Sequence, residues 1–115
     1  MKSLSNKVAI VTGSSRGIGA QIAITLAEAG ASVVINYSSN QKPADKIVSE
    51  INASGGSAVA IKADISSPEE VKLMFDLAIS QFGKVDILIN NAGSILYKKF
   101  KIQRMTILIR YFLLM

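Results

Sequence analysis

The chain of 115 residues contains no cysteine, no histidine and no tryptophan. The missing cysteine excludes disulfide bonds and thiolate zinc sites, and the missing histidine removes the commonest general base and metal ligand. Near the N-terminus the first apolar run spans only Val8–Val11, which is too short for the core of a secretory signal peptide. We therefore expect a cytoplasmic protein with no metal site.

Acidic residues are missing from the last part of the chain, which explains the net charge of +5. Residues 1–93 hold all eight acidic residues and eight basic ones, so this part is neutral. The five excess positive charges lie within residues 94–115, on Lys98, Lys99, Lys101, Arg104 and Arg110. A nucleic-acid-binding or membrane-binding function would depend on this tail alone, and we expect neither partner.

Half of the residues are hydrophobic, and their pattern alternates between strands and helices. This composition and length predict one α/β domain with a buried parallel sheet. The predicted strands are Lys7–Thr12, Ala31–Tyr37, Ser57–Ala63 and Val85–Asn90. Right-handed crossovers give a Rossmann-like, doubly wound sheet of strand order 3-2-1-4, truncated after the fourth strand.

Three helices are predicted between these strands. The first buries a stripe formed by Ile18, Ile22, Ala23 and Leu26, and the second covers roughly residues 42–53. The third begins at a capping box, Ser67-Pro68-Glu69-Glu70. Its predicted inner face consists of Val71, Met74, Phe75, Ala78, Ile79 and Phe82.

A glycine-rich turn follows the first strand and leads into the first helix, in the order Thr12-Gly13-Ser14-Ser15-Arg16-Gly17-Ile18-Gly19. Gly13 permits a tight turn, Gly17 lets the backbone approach a pyrophosphate, and Gly19 allows close helix packing. Because the helix amides and dipole would face an anion, residues 13–19 are predicted to bind phosphate groups. A purely structural glycine turn is the alternative.

A second motif, Asn90-Asn91-Ala92-Gly93, ends the fourth strand. With both motifs in place, residues 4–93 resemble the cofactor-binding half of the short-chain dehydrogenase/reductase family. The sequences around Arg16 and at Val34-Ile35-Asn36-Tyr37-Ser38 are most similar to those of NADPH-dependent aldehyde and carbonyl reductases, with 3-oxoacyl-carrier-protein reductases as close relatives. The resemblance implies hydride transfer between a nicotinamide dinucleotide and an aldehyde or ketone.

The choice between NAD and NADP depends on the charge of the residues that follow the second strand. An acid there would hold the ribose hydroxyls of NAD and repel a 2′-phosphate, but Asn36, Tyr37 and Ser38 are neutral. Arg16 could pair with that phosphate through its planar guanidinium, although it could also be a solvated loop residue. The sequence therefore favours NADP(H).

The resemblance also assigns residues to the adenosine side of the cofactor. It implies that Asp64 accepts from the adenine amino group, that Ile65 lies along the base, and that Asn91, Ala92 and Gly93 line the ribose. Asp64 could equally begin the turn before the third helix. Asn90 could tie strands together instead of touching the ligand.

In this family, catalysis requires a serine, a tyrosine and a lysine four residues after the tyrosine. Tyr97 and Lys101 have that spacing, but Tyr97 comes only four positions after Gly93, so the strand and helix that precede the catalytic pair in the family do not fit between them. We reject them as the catalytic pair and predict no catalytic residue in this chain.

Residues 94–115 form an atypical basic and apolar tail. If the codons of residues 100–115 are read one base earlier, permitted codon choices give a segment similar to the one that follows the Asn-Asn-Ala-Gly motif in the family. We therefore hypothesise a frameshift, which the coding DNA sequence would test. The tail could also cover the edge of the fourth strand, which would otherwise be bare and open to self-association.

These observations predict the NADP(H)-binding portion of a short-chain reductase, inactive as this chain. The alternative is a non-catalytic fragment that binds a dinucleotide or another protein.

Overall fold

A computed structural model describes residues 2–92 and, beyond them, the backbone of residues 95–97, 100–102 and 106–109. Strands and helices alternate through the first ninety residues. The elements are β1 (Val8–Val11), α1 (Gly17–Glu28), β2 (Ser32–Tyr37), α2 (Gln41–Ala53), β3 (Ser57–Lys62), α3 (Pro68–Phe82), β4 (Ile87–Asn90), β5 (Ile95–Tyr97), β6 (Phe100–Ile102) and β7 (Thr106–Ile109). The predicted strands and helices are therefore present, with bounds that differ by one or two residues.

The central sheet confirms the predicted order, since β3, β2, β1 and β4 are neighbours in that sequence and run parallel. In register, Val11 pairs with Ile35 of β2 and with Ile89 of β4. Their carboxyl ends therefore lie at one edge of the sheet, where the winding reverses between β1 and β4. In such sheets this edge is where ligands bind.

The outer edge of β4 is not bare, which corrects the expectation of an exposed fourth strand. β7 pairs with β4 antiparallel, so that Leu88 lies opposite Leu108. An apolar segment satisfies the unpaired amides and carbonyls of the edge, as one of the alternatives for the tail anticipated. β5 and β6 form a separate antiparallel hairpin. The predicted self-association requires an exposed edge of β4, and β7 occupies that edge.

Two layers of helices cover the sheet. α1 and α2 lie over one face, where Val33 and Ile35 are buried, and α3 lies over the other, where Phe75 packs against Ile10 and Leu88. Because both faces are buried, the central strands consist almost wholly of apolar residues.

The stripe predicted for α1 was wrong in one position, since the side chain of Ile18 is 70% exposed. The residues of α1 that are buried are small, namely Gly19, Ala20, Ala23 and Ala27. Ile22 and Leu26 are partly buried at the sides of the same contact. The predicted inner face of α3 holds for Val71, Met74, Phe75 and Ala78, whereas Ile79 is exposed and Phe82 is partly buried.

Candidate functional site

The turn after β1 requires glycine at its first position. Gly13 has φ of +62°, in the left-handed region, and a Cβ on it would lie 2.8 Å from the Cβ of Ala92. The chain therefore turns sharply here and passes directly against the segment that follows β4. The two sequence motifs are in contact, as expected if they form one site.

The segment after β4 is tied to the same turn by side chains. Asn91 Nδ2 donates to the carbonyl oxygen of Gly13 at 3.3 Å. Thr12 Oγ1 donates to Asn90 Oδ1 at 3.0 Å, and the same hydroxyl accepts from the amides of Asn91 and Ala92. Asn90 is fully buried, so its side chain ties β1 to β4, the structural alternative noted for it.

The backbone amides of residues 13 and 14 are hydrogen-bonded within the protein, whereas those of residues 15–18 are open to a ligand. The amide of Gly13 donates to Asn36 Oδ1 at 2.9 Å, and that of Ser14 donates to the Asn36 carbonyl at 3.1 Å. Within residues 2–92, no acceptor is found for the amides of residues 15–18. Since α1 begins at Gly17 and its N-cap, Arg16, makes no side-chain cap, the positive end of the helix dipole faces the loop with unpaired N–H groups. Such an end binds anions.

The side chains of two residues expected to contact the cofactor, Ser14 and Asn36, are bonded within the protein. The hydroxyl of Ser14 donates to the Val11 carbonyl at 2.6 Å and accepts from the amide of Asn36 at 2.9 Å, and Ser14 is fully buried. The Asn36 side chain is likewise bonded to backbone groups and only 2% exposed. The neutral residues that remain accessible here are therefore Tyr37, at the end of β2, and Ser38, Ser39 and Asn40, which follow it.

A cavity of about 370 Å³ lies at the carboxyl edge of β1, β2 and β3. It brings together most of the predicted cofactor-binding residues: Gly13, Ser15, Arg16, Asn36, Tyr37, Ser38, Asp64, Ile65 and Ala92. Ser14, Gly17, Ile18, Gly19 and Asn91 are not among its lining residues, and Gly93 lies outside the described part of the chain. Ala63, which the sequence analysis did not single out, also lines the cavity; its signal was its position directly before Asp64 at the end of β3.

One cation and one carboxylate border this cavity. Arg16 is exposed in the loop. Asp64 Oδ1 accepts from the hydroxyl and the amide of Ser66 at 2.7 and 2.9 Å, and these bonds lower the pKa of the Asp64 carboxyl below its usual 3.8. Asp64 thus begins the turn before α3 and also borders the cavity, whereas its contact with adenine stays a prediction.

Tyr97 and Lys101 lie in β5 and β6, on the two strands of one hairpin. Their backbone therefore does not place them on one face of a helix. In the described ranges, no group of three or more acidic residues is arranged to hold a metal ion. The helices described there are also too short or too polar to cross a bilayer.

Comparison with known proteins identifies the family. The sequence model of the short chain dehydrogenases matches residues 7–108. The chain belongs to the short-chain dehydrogenase family. It is 52% identical over 97 residues to a hydroxynaphthalene reductase-like protein of Metarhizium guizhouense, a match that covers 84% of this chain and 36% of that protein.

Solved structures of the family show the same arrangement. A 7α-hydroxysteroid dehydrogenase in complex with NADH and 7-oxo glycochenodeoxycholic acid is 52% identical, with a TM-score of 0.75 over 78% of this chain and 35% of that one. A short-chain dehydrogenase from Burkholderia cenocepacia in complex with NADP is 48% identical, with a TM-score of 0.75 over 78% of this chain and 37% of that one. The chain therefore spans little more than a third of the length of these relatives.

Proposed function

We propose that this chain is the NADP(H)-binding portion of a reductase that transfers hydride to an aldehyde or ketone. The observation that carries the proposal is the row of open amides at residues 15–18, next to a cavity of about 370 Å³. A diphosphate offers several acceptor oxygens to such a row, and the helix dipole favours its negative charge.

The choice of NADP(H) over NAD(H) rests on this chain's own charges, since one related structure holds NADH and another holds NADP. Arg16 supplies a cation at the cavity, and the accessible side chains that follow β2, up to Asn40, are neutral. An arginine fork pairs strongly with a phosphate, and no carboxylate follows β2 closely enough to repel one.

We further propose that the chain binds the dinucleotide without turnover. Within residues 2–92 the sole tyrosine, Tyr37, has glutamine rather than lysine four positions later. The role left to these residues is to bind and orient the adenosine diphosphate part of the cofactor. The nicotinamide of the cofactor would supply the hydride.

Calorimetric titration with NADP⁺ and NAD⁺ tests the nucleotide preference. In Arg16→Glu the affinity for NADP⁺ should fall about tenfold or more, because attraction becomes repulsion, whereas the affinity for NAD⁺ should change by less than about threefold. Lys2→Glu makes the same charge change at the opposite edge of the sheet and should leave both affinities unaltered. Equal losses for both nucleotides in Arg16→Glu would contradict phosphate recognition by this residue.

A second assay tests the expected lack of turnover. NADPH oxidation in the presence of a simple aldehyde should stay at the rate of the protein-free control, while the titration shows binding. Measurable turnover would show that this chain contains a proton donor after all, and would overturn the second proposal without affecting the first.

A further inference from the structure

The carboxamide of Asn36 lies where three parts of the chain meet. Its Oδ1 accepts from the amide of Gly13 at 2.9 Å, in the glycine turn. Its Nδ2 faces the carbonyl oxygens of Ala63 at 3.2 Å and Ile61 at 3.4 Å, at the end of β3. A side chain on β2 therefore joins the phosphate-facing turn to the neighbouring strand.

These partners require a carboxamide rather than a carboxylate. An amide offers one acceptor oxygen and two N–H donors, which matches one N–H on one side and carbonyl oxygens on the other. An ionised carboxylate would still accept from Gly13 but would point its second oxygen at the carbonyls of Ile61 and Ala63. In a site this buried, such an arrangement is strongly unfavourable.

The backbone of Asn36 completes the attachment. Its amide donates to Ser14 Oγ and its carbonyl accepts from the amide of Ser14. Residues 13 and 14 thus continue the pairing of β1 with β2 beyond the last strand residue. Because their amides are already bonded, the amides of residues 15–18 are the ones left to face a ligand.

We propose that Asn36 is a positioning residue for the dinucleotide: it does not bind the diphosphate but fixes the glycine turn so that the amides of residues 15–18 face it. This inference rests on the proposed function. It also predicts that the carboxamide at this position is required by the protein's own backbone, independently of which nucleotide is bound.

The test is NADP⁺ titration of Asn36→Asp over a range of pH. At about pH 8 the new carboxylate should be ionised, and affinity should fall at least about tenfold relative to the unaltered chain, because a buried donor is lost and a charge faces carbonyl oxygens. At about pH 5.5 a protonated carboxyl restores one donor and one acceptor, and the ratio to the unaltered chain should return to within about threefold.

Comparison at each pH with the unaltered chain removes the titration of other groups. The charged groups around the cavity are Arg16 and Asp64, and Lys62 lies beside Tyr37 in the register of β2 and β3. These groups and the 2′-phosphate of NADP⁺ are the same in both proteins, so a change in the ratio belongs to the new carboxyl group.

Asn52→Asp is the matched control. Asn52 Oδ1 accepts from the amide of Ala58 at 3.0 Å, so a carboxamide ties α2 to β3 at the opposite edge of the sheet. Asn52 Nδ2 also donates to the carbonyl oxygen of Ala58 at 3.5 Å. The control therefore introduces the same charge and, as in Asn36→Asp, replaces an amide donor that faces a backbone carbonyl. It should lower the free energy of unfolding without a pH-dependent change in NADP⁺ affinity.

Hydrogen exchange on the unaltered chain provides a readout that needs no variant. Without a ligand, the amides of Gly13 and Ser14 should already be protected, whereas those of residues 15–18 should become protected only when NADP⁺ is added. Rapid exchange at Gly13 would overturn the positioning role, as would undiminished affinity of Asn36→Asp at about pH 8. Absence of NADP⁺ binding to the unaltered chain would overturn the proposed function together with this inference.

Discussion

The carboxylate of Asp86 accepts a hydrogen bond from the backbone amide of Val8 at 2.9 Å. The backbone amide of Asp86 donates in return to the Val8 carbonyl, also at 2.9 Å. Lys84 Nζ lies 3.1 Å from the same carboxylate, whose side chain is only 3% exposed. One buried acid thus joins β1 to the start of β4 at the edge opposite the cavity.

This contact predicts a loss of stability in acid. Burial by itself would raise the pKa of Asp86, but the hydrogen bond from Val8 and the ammonium group of Lys84 outweigh it and lower the pKa below 3.8. Because the pKa is lower in the folded state, the carboxylate stabilises the fold above its unfolded pKa of about 3.9, and this stabilisation is lost as pH falls through the folded value. Urea unfolding at a series of pH values measures this loss of stability.

Asp86→Asn removes this titration, so the free energy of unfolding should depend less on pH below about pH 4 than in the unaltered chain. Asp76→Asn is the control, since Asp76 pairs with Lys72 on the exposed side of α3 and such pairs contribute little. An identical acid dependence in Asp86→Asn and the unaltered chain would show that Asp86 is not the group responsible.

The hydroxyl of Thr12 is predicted to hold the two motifs together. Thr12→Val keeps the shape of the side chain but leaves Asn90 Oδ1 without its Thr12 donor and the amides of Asn91 and Ala92 without this acceptor. We expect the free energy of unfolding to fall by about 1–3 kcal/mol, the cost of unsatisfied buried polar groups. Thr12→Ser, which retains the hydroxyl, should lose much less, and equal losses in the two variants would contradict the role assigned to the hydroxyl.

Local periodicity predicted most of the fold from sequence. The parallel sheet follows from the alternation of apolar strands with amphipathic helices along the chain. Ile18 was misplaced because hydrophobicity alone does not decide which residues are buried. α1 approaches the sheet through Ala20, Ala23 and Ala27, whose small side chains permit close contact and leave the larger Ile18 outside.

The motifs predicted that the glycine turn and the segment after β4 lie together, but not the hydrogen bonds that each of their residues makes. Ser14 and Asn36 are polar residues within the right segments, yet their bonds depend on the register between the glycine turn and the ends of β2 and β3. Likewise, the pairing of β7 with β4 joins residues distant in the chain. Short sequence windows carry no information on such contacts.

Gly19 and Gly17 should respond differently to alanine. A Cβ on Gly19 would overlap the carbonyl oxygen of Gly13 and lie 2.6 Å from Asn91 Nδ2, so Gly19→Ala should cost about 3 kcal/mol of stability. A Cβ on Gly17 meets no atom within 4 Å, but its φ of +62° is strained for alanine, at about 1–2 kcal/mol. Chemical unfolding measures the free energy lost in each variant. A smaller loss in Gly19→Ala than in Gly17→Ala would contradict the close contact of Gly19 with Gly13 and Asn91.

The start of α3 depends on Ser67, whose hydroxyl accepts from the amide of Glu70 at 3.3 Å. Glu70 does not complete the predicted capping box, since its carboxylate accepts from the amide of Asp64 instead, at 2.9 Å. Ser67→Ala should therefore destabilise the protein by about 1 kcal/mol, as expected for loss of an N-cap. Ser80→Ala, on the exposed side of the same helix, should cost no more than a few tenths of a kcal/mol. Thermal unfolding of the two variants makes the comparison.

The pairing of β7 with β4 predicts how the chain associates with itself. Successive amides of a strand point in opposite directions, so one of the two amides of Ile107 and Leu108 faces β4. Replacing both residues by proline removes that donor and disfavours the strand, which should expose the edge of β4. Sedimentation velocity should then show more concentration-dependent association than in the unaltered chain. Unchanged sedimentation would mean that β7 does not protect this edge in solution.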